Sequence, residues 1–153
     1  MKRFFCTLAL CVILSGVAKA QIRIDGDRGG RIGTYIDAFA LVRQSGETLV
    51  VDGECLSACT LFLGIVPRQQ VCATSRARLG FHAAWSPDAN GIPVTSTLGT
   101  EVLMKVYPPK IRAWIRRKGG LNRNLIWLQG RELMTFVPSC PRQRRSNHRA
   151  QAR

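Results

Sequence analysis

Acidic residues are scarce in this chain: nine Asp and Glu stand against 23 Lys and Arg, a formal net charge of +14 over 153 residues. Histidine is scarcer still, at two. His148 lies among the arginines near the C-terminal end, so a histidine general base would have to be His82. Beyond His82 the only acids are Asp88, Glu101 and Glu132. A P-loop and the G-x-G-x-x-G dinucleotide spacing are both missing, and "GDRGGRIG" at 26–33 supplies neither. No metal motif is present. Cys55, Cys59, Cys72 and Cys140 are separated by 3, 12 and 67 residues, not in the two close pairs of a zinc site. No cofactor and no metal are therefore expected. There is no internal repeat. The longest apolar run, residues 4–18, falls short of the roughly 20 residues a spanning helix needs.

That run has another reading. "MKR" is a basic start, "FFCTLALCVILSGVA" is apolar, and "AKA" closes it at Ala20. This is the pattern of a secretory signal with a small-x-small cleavage site over residues 1–20. Cleavage leaves an exported chain from Gln21, periplasmic or secreted; an uncleaved signal would anchor it in the membrane. Four of the six cysteines then remain, and an oxidising compartment favours two disulfides among Cys55, Cys59, Cys72 and Cys140. Four cysteines allow three pairings, and the sequence does not choose.

Losing Lys2, Arg3 and Lys19 lowers the charge from +14 to +11. Five of those charges, Arg142, Arg144, Arg145, Arg149 and Arg153, follow Cys140. Residues 141–153 have no apolar periodicity and read as a solvated basic tail. No aromatic is interleaved with its arginines, so stacking on bases is not suggested and no nucleic acid is expected as partner.

Between signal and tail, residues 21–140 form one domain. Residues 22–25 alternate as a strand. Ile32, Tyr35, Ile36 and Phe39 share a helical face, which Ser45 and Gly46 end. "ETLVVDG" reads as a strand buried on both faces. Strand, helix, strand makes a βαβ unit with parallel strands. A helix is expected from near Ser57 to Pro67, then strands at 69–74 and 78–85 and a loop at 86–97. A helix starts near Leu98, Pro108 and Pro109 break it, a second helix covers 110–118, and short helices fill 121–137.

Three features carry chemistry. Gly29 and Gly30 follow a strand and precede a helix, where backbone can approach a ligand closely. Ser57 stands where a strand gives way to a helix, at the carboxyl edge of a parallel sheet; its plain alternative is a helix N-cap. His82 follows Ser57 by 25 residues in an apolar strand, where a packed core histidine is the plain alternative.

Together, "IDGDRGG", "VVDGECLSACT" and "SRARLGFHAAW" resemble the Clp-protease/crotonase superfamily, most closely Clp-type serine peptidases and their small exported relatives in bacteria. The resemblance covers residues 22–85 well and the rest loosely. It implies a small α/β Clp/crotonase-like domain with a short, mostly parallel sheet and C-terminal helices. It implies Ser57 as nucleophile, His82 as general base, and the Gly30 and Ala58 amides as oxyanion hole. Glu132 is nearest in chain order to the family's acid; Lys105 or Lys110 would serve a Ser-Lys variant. The implied activity is an exported serine hydrolase acting on a peptide or other acyl substrate, with homo-oligomers in keeping with the family. The other reading is a non-catalytic exported binding domain on the same scaffold. No ATPase partner is expected outside the membrane.

Overall fold

The computed structural model describes residues 20–141; nearly all of the expected signal peptide and basic tail lie outside the described residues. β1 (Gln21–Ile24), β2 (Thr48–Val51) and β4 (Val71–Ala73) form a parallel sheet in the order β1-β2-β4. The helix α1 (Ile32–Ser45) crosses from β1 to β2, completing the βαβ unit. β2 is buried on both faces, as its unbroken apolar run requires.

Each strand then bends and continues. β2 passes through Gly53 into β3 (Glu54–Leu56), and β4 passes through residues 74–77 into β5 (Arg78–Phe81). β3 and β5 pair in parallel, and Asp27, just past β1, bridges to Cys55 on the other side of β3. The parallel strands of the two sheets thus form one arrangement folded at a corner.

Asp52 holds that corner. Its carboxylate accepts from Arg23 of β1, from Thr74 Oγ1 at 2.5 Å and from Arg76, both past β4. One buried acid therefore ties all three strands at the bend. The Arg76 hydrogen bond first, then that of Thr74, holds its carboxyl well below the usual range, against the effect of burial.

After Leu56 the chain makes a 3-10 turn (Ser57–Leu61) and a short helix, α2 (Phe62–Ile65). The expected helix to Pro67 is thus shorter and opens in the tighter geometry. The expected loop at 86–97 is instead an antiparallel hairpin, β6 (Trp85–Pro87) and β7 (Pro93–Thr95), around a turn capped by Asp88. α3 (Thr97–Val106) is N-capped by Ser96, and α4 (Pro109–Arg117) starts on a proline, which suits a first helical position. Residues 126–129, expected as helix, form β8 (Ile126–Gln129), antiparallel to β5. Only Gly130–Met134, α5, is helical there. The short apolar run "LIWL" fits either state by periodicity alone, and pairing with β5 decided it.

The core lies between this sheet and the helices. Phe81 packs against Tyr107 and Trp114 at 5.5 and 5.4 Å between ring centres, and all three are buried. The cysteines pair as Cys55–Cys59 and Cys72–Cys140. Among the described residues no helix is long and apolar enough to cross a membrane. The two disulfides are compatible with an oxidising extracellular compartment.

Candidate functional site

Ser57 has φ of +54°, the one positive φ on a non-glycine residue among the described residues. A side chain in that region costs about 1–2 kcal/mol, so the surroundings must enforce it. Three constraints do. The Cys55–Cys59 bridge spans the turn and is fully buried. Thr60 Oγ1 donates to Ser57 O at 2.6 Å. Gly29 presses its backbone on the turn: a Cβ there would lie 2.5 Å from Leu56 O and 2.9 Å from Ser57 Cβ.

The Ser57 hydroxyl caps nothing. The N-cap of the turn is Leu56, with no side-chain cap, so the N-cap explanation of this serine does not hold. Ala58 stands in the first turn, where backbone N–H groups have no partner within the helix.

The glycine turn is held from behind. Asp27 accepts from the Gly29 amide at 2.7 Å and from the Tyr35 hydroxyl at 2.6 Å. Burial, then the bond to and charge of Asp27, pushes the Tyr35 hydroxyl up to about 12. Asp27 also pairs with β3 through Asp27 N to Glu54 O and Leu56 N to Asp27 O, both 2.8 Å. The Gly29–Gly30 turn and the Ser57 turn are therefore carried side by side on adjacent strands.

His82 lies one residue beyond β5, not within a strand. Ending the strand there frees it from the ladder and leaves it half-buried. Its neighbours fix it: Ala84 N donates to Thr100 Oγ1 at 3.0 Å, Ser96 N to Ala84 O at 2.8 Å, and Ala83 N to Asn122 O at 2.8 Å. The His82 Nδ1 lies 2.7 Å from Ala83 O. A carbonyl cannot donate, so Nδ1 carries the proton and Nε2 of the neutral ring is left as acceptor.

Ser57, His82, Gly29 and Gly30 line one cleft of about 630 Å³, together with Arg28, Arg31 and Trp85. Ser57 and His82 do not hydrogen bond to each other here. Glu132 is elsewhere. Its carboxylate accepts from Trp114 Nε1 at 2.7 Å and pairs with Lys118 at 3.5 Å. It follows β8, whose Gln129 faces Arg78, the far end of β5 from His82. That end is about 13 Å away along the strand at ~3.3 Å per residue. Asp88 and Glu101 do not line the cleft, and neither does Lys105; Lys110 borders a separate apolar groove. Sequence reading missed Ala83, Thr60, Tyr107 and Asp27. Their roles depend on contacts made by the fold, and no spacing announces them. Among the described residues no cluster of His, Cys, Asp or Glu suited to a metal is present.

The chain is similar in structure to a Clp protein. A ClpP1 mutant from Listeria monocytogenes aligns at 13% identity and a TM-score of 0.46, covering 84% of this chain and 77% of that one. A peptidase from Plasmodium falciparum aligns at 10% identity and a TM-score of 0.46, covering 77% and 75%. No protein-family model matches the chain, and neither does any curated protein.

Proposed function

We propose that this protein is an exported serine hydrolase that cleaves a peptide or other acyl bond through Ser57 and His82. The observation that carries the reading is the enforced positive φ at Ser57, on a turn pressed against Gly29 and opening on the cleft that His82 also lines. Strain of this kind persists where surroundings over-determine it, and it gathers at working sites.

Ser57 Oγ attacks the acyl carbon, and its proton passes to His82 Nε2. The Gly30 and Ala58 amides take the charge developing on the carbonyl oxygen. His82 returns the proton to the leaving group, and water then releases the acyl group by the same route in reverse. Ala83 O holds the His82 tautomer in place of a carboxylate. A neutral carbonyl stabilises the imidazolium less than an anion does, so turnover is expected to be slow beside a full triad.

A non-catalytic binding domain is the second reading. The missing Ser57–His82 hydrogen bond favours it, as does a His82 Nδ1 whose hydrogen-bond partner among the described residues is a backbone carbonyl and not a carboxylate. The two separate on labelling with a fluorophosphonate probe, using protein purified with both disulfides intact. A hydrolase labels, and Ser57→Ala or His82→Ala each reduce labelling by at least about a hundredfold. Absence of labelling in folded, oxidised protein leaves the binding domain.

A further inference from the structure

The cleft that holds Ser57 has two arginines in its lining. Arg28 and Arg31 flank the glycine pair, line the cleft and are exposed. Neither takes part in an ion pair among the described residues, where the arginines so engaged are Arg23, Arg76 and Arg78. Among the described residues no Asp or Glu lines the cleft. The adjacent acid, Asp27, is turned to the Gly29 amide and the Tyr35 hydroxyl. The same lining includes Trp85, 57% exposed, with Ala84 and Pro87. Two arginines outside any ion pair among the described residues and an exposed aromatic in one lining suit a ligand that is apolar in part and anionic at one end.

We infer that this cleft selects substrates bearing an anionic group, a carboxylate in the first instance, which Arg28 and Arg31 bind beside the glycine turn while Trp85 covers the apolar part. The inference names the substrate class of the proposed hydrolase and rests on that reading only for its chemistry; the binding preference stands or falls separately. Guanidinium binds carboxylate through paired N–H donors, and the excess of positive charge over the whole chain draws anions toward it.

The test uses three blocked tripeptides, alike except for a central glutamate, glutamine or lysine. Their binding to the disulfide-intact Ser57→Ala protein is measured by calorimetry, and their competition with fluorophosphonate labelling is measured on the unaltered protein. Glutamate is expected to bind about tenfold more tightly than glutamine, with lysine weakest. Arg28→Ala with Arg31→Ala should bring glutamate and glutamine within about twofold. Arg43→Ala, which removes a charge from the far end of α1, should leave the preference intact. Arg31→Gln alone serves as the milder variant, with an intermediate preference. Equal binding of glutamate and glutamine, or a preference that survives the double variant, overturns the inference. Labelling without charge preference keeps the hydrolase and removes this inference. Charge preference without labelling does the reverse.

Discussion

The Cys55–Cys59 bridge spans 4 residues around Ser57, whereas the Cys72–Cys140 bridge spans 68. The longer one fixes the end of the described chain: Ala73 N donates to Pro138 O at 2.9 Å and Cys140 N to Ala73 O at 3.0 Å, so residues 138–140 lie along β4 like a further strand. A crosslink removes more disorder from the unfolded chain the longer the loop it closes, by about 4 kcal/mol for a span of 68 and about 2 kcal/mol for a span of 4. The long bridge is thus mainly a stabiliser of the domain. The short one contributes less to stability, and its place across a left-handed serine gives it a local task, shaping the turn.

The sharpest way to break that contrast is to remove each bridge in turn. Cys72→Ala with Cys140→Ala should lower the free energy of unfolding by about 4 kcal/mol, read by denaturant titration. Cys55→Ala with Cys59→Ala should lower it by about 2 kcal/mol. The order reverses for fluorophosphonate labelling: the short bridge's removal should slow it strongly, while the long bridge's removal should leave the rate of the folded fraction nearly unchanged. A short bridge whose loss spares labelling would mean that Thr60 and Gly29 hold the Ser57 turn without it.

Gly29 sharpens the comparison at the same turn. Gly29→Ala combines a left-handed φ of +78° with a Cβ 2.5 Å from Leu56 O. Strain and overlap together should cost about 3 kcal/mol. Gly26→Ala has φ of +100° and nothing within 4 Å, so strain acts alone, at about 1 kcal/mol. Matching losses at the two positions would show that the Gly29 contact gives way and is not what holds Ser57.

Much of this arrangement was legible in the sequence, and the reasons differ by element. The βαβ unit follows from apolar periodicity in 22–51, a local property of the chain. The pairing of Cys72 with Cys140 was not legible, because it depends on residues 138–140 returning to β4. β8 and the β6–β7 hairpin were missed because "LIWL" and "SPDANGIPVTST" carry turn and apolar signals that neighbouring strands resolve. Glycine pair, serine and histidine could be chosen by type and order. The partner of His82 could not, since it is a backbone carbonyl, and every residue carries one.

The corner of the sheet gives a smaller effect with a definite sign. The Asp52 carboxyl is held below its ordinary value in the folded protein, so its stabilising contribution is fully present above the unfolded-state value of about 4 and is lost as pH falls below it. Thermal midpoints of the unaltered protein and Asp52→Asn should therefore differ at pH 7 and begin to draw together only below about pH 4, as the pH falls toward the lowered folded-state value. A difference constant with pH would place the effect of the substitution in packing, not in charge. Asp52 lies outside the cleft, so labelling at pH 7 should change far less than in the Cys55 and Cys59 variant.

The smallest expected effect is at Tyr107. Thr60 Oγ1 has one proton and gives it to Ser57 O, because a carbonyl can only accept. The Tyr107 hydroxyl, 2.6 Å from Thr60 Oγ1, must then be the donor between them. Burial raises its pKa well above the ordinary tyrosine value, which keeps that proton in place at any working pH. The relay thus runs from the core to the backbone of Ser57 in one direction. Tyr107→Phe removes a hydrogen bond without orphaning a donor, and should cost about 1 kcal/mol. Thr60→Val removes the bond to Ser57 O as well and should slow labelling more than Tyr107→Phe does. If the two variants label alike, the Ser57 backbone does not depend on Thr60, and the short disulfide and Gly29 alone hold the turn.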